Sequence, residues 1–130
     1  MIGQHHIADL YGVKNLDPEH LGALMRTAVD DSGATYLDHH FDPQGSSGVI
    51  LLAESHLAWH TWPEHEFISL DIYTCGNTAM PRRAVDFLVD QLQPDYVDKH
   101  VVERGRFVEQ PPAHKANIAQ PILFLDGAQS

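Results

Sequence analysis

The stretch GSSGVILLAESHLAWHTWPEHEFISLDIYTCG, residues 45–76, decides the fold class. Its last part alternates two sets of side chains, the second purely aliphatic: Phe67, Ser69, Asp71 and Tyr73 against Ile68, Leu70 and Ile72. A period of two predicts a strand with one buried face. Residues 48–53 form a short apolar run after the turn sequence Pro43-Gln44-Gly45, which predicts a buried strand. This part of the chain therefore predicts a β-sheet.

Two helices flank this stretch. Asp17 can cap free backbone amides and Pro18 suits the first helical position, so a helix is predicted to begin there. Gly33 is placed to end it. Its apolar face has helical spacing and consists of Leu21, Leu24, Met25, Ala28 and Val29. A second helix is predicted from Pro81, with an apolar face made of Ala84, Phe87, Leu88 and Leu92.

Weaker strand patterns lie at residues 5–10, 35–41 and 96–103. The order of elements predicts one α+β domain over residues 1–130, a mostly antiparallel sheet with both helices on one face. The other face is predicted to carry the alternate apolar residues, which a homodimer would cover by packing sheet to sheet as a four-layer α/β/β/α sandwich. Within the tail, residues 110–130, the segment 122–125 is predicted to dock on a sheet edge or across that dimer.

The composition narrows the class of partner. Eight Lys and Arg stand against eighteen Asp and Glu, a formal net charge of -10. No basic stripe is available for phosphates, so nucleic acid is excluded, whereas a cationic small molecule is compatible. A single cysteine, Cys75, excludes an internal disulfide and suits a reducing compartment. No apolar run approaches membrane-spanning length, so we expect a soluble, cytoplasmic protein with no membrane partner.

Ionisable and nucleophilic groups are concentrated among these predicted strands. Such groups are costly in apolar surroundings unless they are paired, so their density predicts an active site; they are Glu54, Ser55, His56, His60, Glu64, His65, Asp71 and Cys75. His56 and His60 are four residues apart, but Trp62-Pro63 argues against a helix and there is no HExxH motif, so no metal site is predicted. Ser55 lacks the flanking glycines of a nucleophile elbow. The residues alone leave the reaction open.

The strings AESHLAWHTWPE, residues 53–64, and LDIYTCG, residues 70–76, resemble the prokaryotic S-adenosylmethionine decarboxylases of the short, pyruvoyl-dependent form. The similarity runs from Gly3 to Gly105 and includes FDPQGSSG, residues 41–48. The resemblance implies a self-processing decarboxylase that makes S-adenosylmethionine into the aminopropyl donor of spermidine biosynthesis. It also implies the four-layer dimer.

The resemblance further implies that the chain cuts itself between Glu54 and Ser55, giving fragments 1–54 and 55–130. The Ser55 hydroxyl would attack the Glu54 carbonyl, and loss of the Ser55 α-proton would then release the Glu54 carboxylate. The dehydroalanine left behind hydrolyses to a pyruvoyl group. His60 would be the base of that elimination, and Ser47 would stabilise the oxyanion of the acyl shift.

In turnover, the resemblance implies that the pyruvoyl ketone derived from Ser55 binds the substrate amine as a Schiff base and accepts its electrons. Cys75 would protonate the carbon that loses carbon dioxide, since a thiol with a reference pKa near 8.5 is mostly protonated at neutral pH. Phe41, Leu57 and Glu64 would line the substrate pocket. Phe41 could stack on adenine and Glu64 could accept the ribose hydroxyls.

Two alternatives stay open. The same cofactor could decarboxylate a basic amino acid, arginine or ornithine, with Glu66 as the partner of its cationic group. Alternatively, the chain could be an unprocessed, non-catalytic homologue in which the bond between Glu54 and Ser55 stays intact. Decarboxylation assays on both substrate types separate the two enzymes, and a denaturing gel separates either of them from the third.

Overall fold

Six strands and two helices follow one another in the computed structural model, which describes residues 2–14, 16–76, 79–111 and 113. The predicted docking segment, residues 122–125, lies outside the described residues. In chain order the elements are β1 (Gly3–Tyr11), α1 (Pro18–Ser32), β2 (Tyr36–Phe41), β3 (Ser47–Leu52), β4 (Ser55–Trp62), a 3₁₀ turn (Pro63–His65), β5 (Phe67–Thr74), α2 (Ala79–Leu92) and β6 (Tyr96–Arg104).

The strands form one sheet in the order β2-β3-β4-β5-β1-β6, and all neighbours are antiparallel. The predicted α+β class is confirmed. Strand β4 was not predicted as a separate element. It is joined to β3 by the two-residue turn Ala53-Glu54, which contains none of the Gly, Asn, Asp or Pro residues that mark such turns. The β3–β4 hairpin therefore leaves no turn signal in the sequence.

The chemistry of their ends places both helices. The Asp17 carboxylate accepts a hydrogen bond from the Glu19 backbone N–H at 3.1 Å, and Gly33 ends α1 at a φ of 83°. Helix α2 begins at Ala79, two residues before the predicted Pro81. The helices cover one face of the sheet, and the largest fully buried side chains between them and that face are Trp59, Leu10, Met25, Ile50, Leu57, Ile68, Leu70, Ile72 and Leu88.

The opposite face of the sheet, called here the open face, is less apolar than predicted. Charged and polar side chains on it include His5, Asp9, His56, His60, Asp71, Asp98 and His100. Rings gather at one end, where Tyr11 contacts Phe67 with centroids 5.0 Å apart and Tyr96 with centroids 6.0 Å apart, and Trp62 lies 5.5 Å from Phe67. The prediction of a mainly apolar second face was therefore wrong, because β1, β4, β5 and β6 alternate aromatic or aliphatic groups with ionisable ones.

Candidate active site

Ser55 is the first residue of β4 and directly follows the β3–β4 turn. Glu54, the residue before it, is exposed and has a φ of 62°, in the left-handed region that an ordinary side chain disfavours. A non-glycine residue held in this region carries roughly 1–2 kcal/mol of strain. The bond between Glu54 and Ser55 thus joins a strained turn residue to a regular strand.

Strand pairing brings Cys75 to the same end of the sheet. The Ser55 hydroxyl donates a hydrogen bond to the Thr74 hydroxyl at 3.5 Å, and Thr74 is the last residue of β5. Cys75 follows directly and is exposed, and Gly76 after it has a φ of 97°. The structure therefore brings together the predicted cleavage site and the predicted proton donor, which lie 20 residues apart in the sequence.

His60 and Ser47 lie elsewhere in the same protomer. They pair across β3 and β4 and line a depression of about 340 Å³ on the open face. His60 is five residues along β4 from Ser55, a distance of about 16 Å at the usual rise per residue. An odd separation along a strand also puts the two side chains on opposite faces. One protomer therefore does not bring the predicted processing base to the bond that it would act on.

The three predicted substrate residues are scattered. Glu64 is exposed in the 3₁₀ turn beyond the far end of β4. The Leu57 side chain is completely buried under the helices, so it is a core residue in this structure and we assign it no pocket role. Phe41 is half-buried, stacks on His39 with centroids 4.2 Å apart, and lines a cavity of about 680 Å³ between α1 and the β2–β3 loop. Its role in stacking adenine stays a prediction.

Four side chains on the open face next to Ser55 were not among the predicted site residues. The His5 Nε2 lies 3.0 Å from an Asp71 carboxylate oxygen, and the His56 ring is nearly parallel to the Tyr73 ring, with centroids 5.8 Å apart. Burial lowers the pKa of His56, the charge of His5 lowers it further, and Asp71 raises it. His56 is therefore predominantly neutral at neutral pH. The alternation of residues 67–73 placed Asp71 and Tyr73 on one face, and that was the only available signal.

Neither a metal site nor a membrane span is found in the parts of the chain that the structure describes. No group of three or more His, Cys, Asp or Glu side chains there is arranged to hold a metal ion. Neither described helix combines the length and the apolar character that crossing a bilayer requires.

Known proteins with the same sequence pattern identify the family. The profile of the family described as S-adenosylmethionine decarboxylase matches residues 4–105. The S-adenosylmethionine decarboxylase proenzyme of Aquifex aeolicus is 41% identical over 129 residues, which cover 95% of this chain and 96% of the relative. The proenzyme of Picrophilus torridus is 41% identical over 130 residues, covering 95% and 97%. The chain belongs to the S-adenosylmethionine decarboxylase family.

A solved structure agrees with this family. The crystal structure of the adenosylmethionine decarboxylase from Aquifex aeolicus superposes with a TM-score of 0.69 at 41% identity, covering 80% of this chain and 91% of that one. The predicted family, the fold and the assignment to an enzyme are thereby confirmed. The name proenzyme agrees with a pyruvoyl cofactor made from a serine of the chain. Ser55 fits this origin, because its half-buried hydroxyl lies beside Cys75 and directly after a strained residue.

Proposed function

We propose that this chain is an S-adenosylmethionine decarboxylase that cleaves itself between Glu54 and Ser55, and that it works as a homodimer. Cleavage would give fragments of residues 1–54 and 55–130 from one folded domain. The observation that carries the proposal is the position of Ser55, at the start of β4 between the strained Glu54 and the exposed Cys75. The net charge of -10 favours a cationic substrate over nucleic acid, and the lone cysteine favours the cytoplasm.

Cleavage begins with the Ser55 hydroxyl. Its oxygen attacks the Glu54 carbonyl carbon, the bond from that carbon to the Ser55 nitrogen breaks, and the nitrogen takes up a proton. An ester then joins the two fragments. A base removes the Ser55 α-proton and the Glu54 carboxylate leaves with the electrons of the ester C–O bond. Rearrangement relieves the left-handed backbone of Glu54, so the strain at that residue favours the reaction.

A second copy of the chain is needed to complete this site. His60 and Ser47 are about 16 Å or more from Ser55 along the hairpin and on the open face, so neither reaches the Glu54 carbonyl of its own protomer. In a dimer that packs open face to open face, the depression holding Ser47 and His60 can receive the Ser55 end of the partner. Each interface would then contain two complete sites.

Exposed apolar side chains on the open face support this dimer. Leu51 is 48% exposed, Tyr11 and Trp62 are each 41% exposed, and Tyr96 is 63% exposed. Large exposed rings grouped on one face are typical of an interaction surface. The polar groups between them would pair across the interface or line the site, since burial without partners is costly.

Turnover uses the same end of the sheet. The pyruvoyl ketone, once formed, supplies the electron sink that decarboxylation requires. Cys75 is exposed and adjacent to Ser55, so its thiol can deliver a proton to the substrate carbon that loses carbon dioxide. Glu64 accepts the ribose hydroxyls of S-adenosylmethionine, and it is exposed and outside any salt bridge among the described residues. Phe41 is the proposed adenine contact.

Co-expression of two inactive variants tests the composite site. Ser55→Ala retains His60 but cannot be cut, and His60→Ala retains Ser55 but lacks the proposed base. Expressed alone, each should stay one chain of 130 residues on a denaturing gel. In mixed dimers the His60 of the Ser55→Ala protomer faces the Ser55 of the other, so the His60→Ala chain should be cut. Intact-mass measurement identifies which chain was cleaved.

The alternative outcomes are decisive. Efficient cleavage of His60→Ala by itself, abolished by His56→Ala, would assign the base to the neutral imidazole next to Ser55 in the same protomer. A wild-type chain that stays intact with a free serine at 55 would refute self-processing. A monomer by light scattering at micromolar concentration would refute the dimer.

A further inference from the structure

A small cleft lies between α2 and the edge strand β6, on the helix-covered side of the sheet. Its volume is about 160 Å³, and its polar lining includes His6 from β1, Arg82 from α2 and Lys99 from β6. Ala8, Val85 and Val101 form apolar walls. Strand β5 separates β1 from β4, the strand of Ser55, so the cleft is distinct from the candidate active site.

The cleft gathers cations in an acidic protein. The chain has eight Lys and Arg against eighteen Asp and Glu, and two of the eight line this one cleft. Within the described ranges, neither Arg82 nor Lys99 forms a salt bridge. His100, which also lines the cleft, is paired with Asp98 at 3.1 Å. The cationic groups of Arg82 and Lys99 are thus left without a carboxylate partner.

The electrostatic potential inside the cleft is positive. Burial lowers the pKa of His6, and the charges of Arg82, His5 and Lys99 lower it further. A neutral imidazole can still donate one hydrogen bond, and the His6 Nε2 lies 3.0 Å from the Gln4 side-chain oxygen. An anion entering the cleft would meet a guanidinium and an ammonium beside an apolar wall, where charge-assisted hydrogen bonds are strongest.

We propose that this cleft binds one small oxyanion of the size of inorganic phosphate, held by Arg82 and Lys99 with His6 beside it. Arg82 offers the paired N–H groups that match two oxygens of such an anion, and Lys99 adds a point charge. The small volume selects a free anion over a larger phosphorylated compound or a nucleic acid. The cleft opens on the helix side, so a partner packed on the open face leaves it accessible, and the proposal is independent of the decarboxylase reaction.

Calorimetric titration of the full-length, processed protein with inorganic phosphate at low ionic strength tests the proposal. One saturable site per chain is expected. Arg82→Gln and Lys99→Gln should each weaken binding by at least about tenfold, because each loses a charge-assisted hydrogen bond. Arg83→Gln is the matched control, since Arg83 is exposed on the same helix and does not line the cleft. It should bind phosphate within about twofold of wild type.

A second readout does not depend on the variants folding. The His6 ring proton, assigned by its loss in His6→Gln, should titrate at a higher pH with phosphate than without, because the bound anion stabilises the imidazolium. Failure of phosphate to saturate, an equal loss in Arg83→Gln, or an unmoved His6 titration would each overturn the site. Tighter binding of glycerol 3-phosphate than of inorganic phosphate would overturn the assignment of a free anion.

Discussion

The strain at the cleavage site can be measured by changing Glu54, whose φ is 62°. Glycine adopts this backbone region freely, whereas alanine retains the steric penalty and removes the same carboxylate. The left-handed penalty is about 1–2 kcal/mol. Glycine's greater loss of entropy on folding opposes it by about 0.5–1 kcal/mol. Glu54→Gly should therefore be more stable than Glu54→Ala by about 0.5–1 kcal/mol.

Two assays separate the strain from its use in the reaction. In a Ser55→Ala background neither variant can be cut, so urea denaturation gives the difference in unfolding free energy directly. In the Ser55 background, a gel time course after refolding gives the cleavage rate. If the strain is released in the rate-limiting step, Glu54→Gly should cut about two- to fivefold more slowly than Glu54→Ala. Equal urea midpoints would refute the strain, and unequal midpoints with equal rates would refute its part in cleavage.

Three further predictions concern the site. Cys75→Ala should still be cut yet lose most turnover with S-adenosylmethionine, and a wild-type steady-state rate would remove Cys75 from the mechanism. Glu64→Gln should weaken S-adenosylmethionine by about 1.5–3 kcal/mol, read as a rise in KM; equal weakening of a small basic amino acid would favour the alternative substrate. The folded-state pKa of His56 lies below 6.5, so the unfolded chain protonates first as pH falls and stability decreases below about pH 6.5. Thermal denaturation of uncut Ser55→Ala protein should show a smaller loss in added His56→Gln, and identical pH slopes would contradict this.

Much of the fold follows from local chemistry that is legible in the sequence. Asp17, Pro18 and Gly33 mark the ends of α1 because capping and left-handed backbone depend on the residue itself. The alternation of residues 67–73 predicts β5 because side chains on a strand alternate between its faces. Strand β4 escaped prediction because its turn, Ala53-Glu54, is stabilised by the pairing of β3 with β4 and not by its own residues.

The candidate site divides in the same way. The motif around Glu54 and Ser55, with Cys75 downstream, is a property of the sequence and predicted the family. The sequence determines these identities because each chemical role requires a particular side chain. The tertiary structure decided that Ser55 adjoins Thr74 and Cys75, whereas His60 and Ser47 lie farther along the hairpin on the other face.

Only the tertiary structure could bring His6, Arg82 and Lys99 to one cleft, since they come from three separate elements. It likewise showed that the open face mixes rings with ionisable groups, where the sequence had predicted an apolar surface. Both results depend on which strands become neighbours and in what register. Pairing is set by contacts between distant parts of the chain, and a one-residue change in register would move every side chain of a strand to the other face.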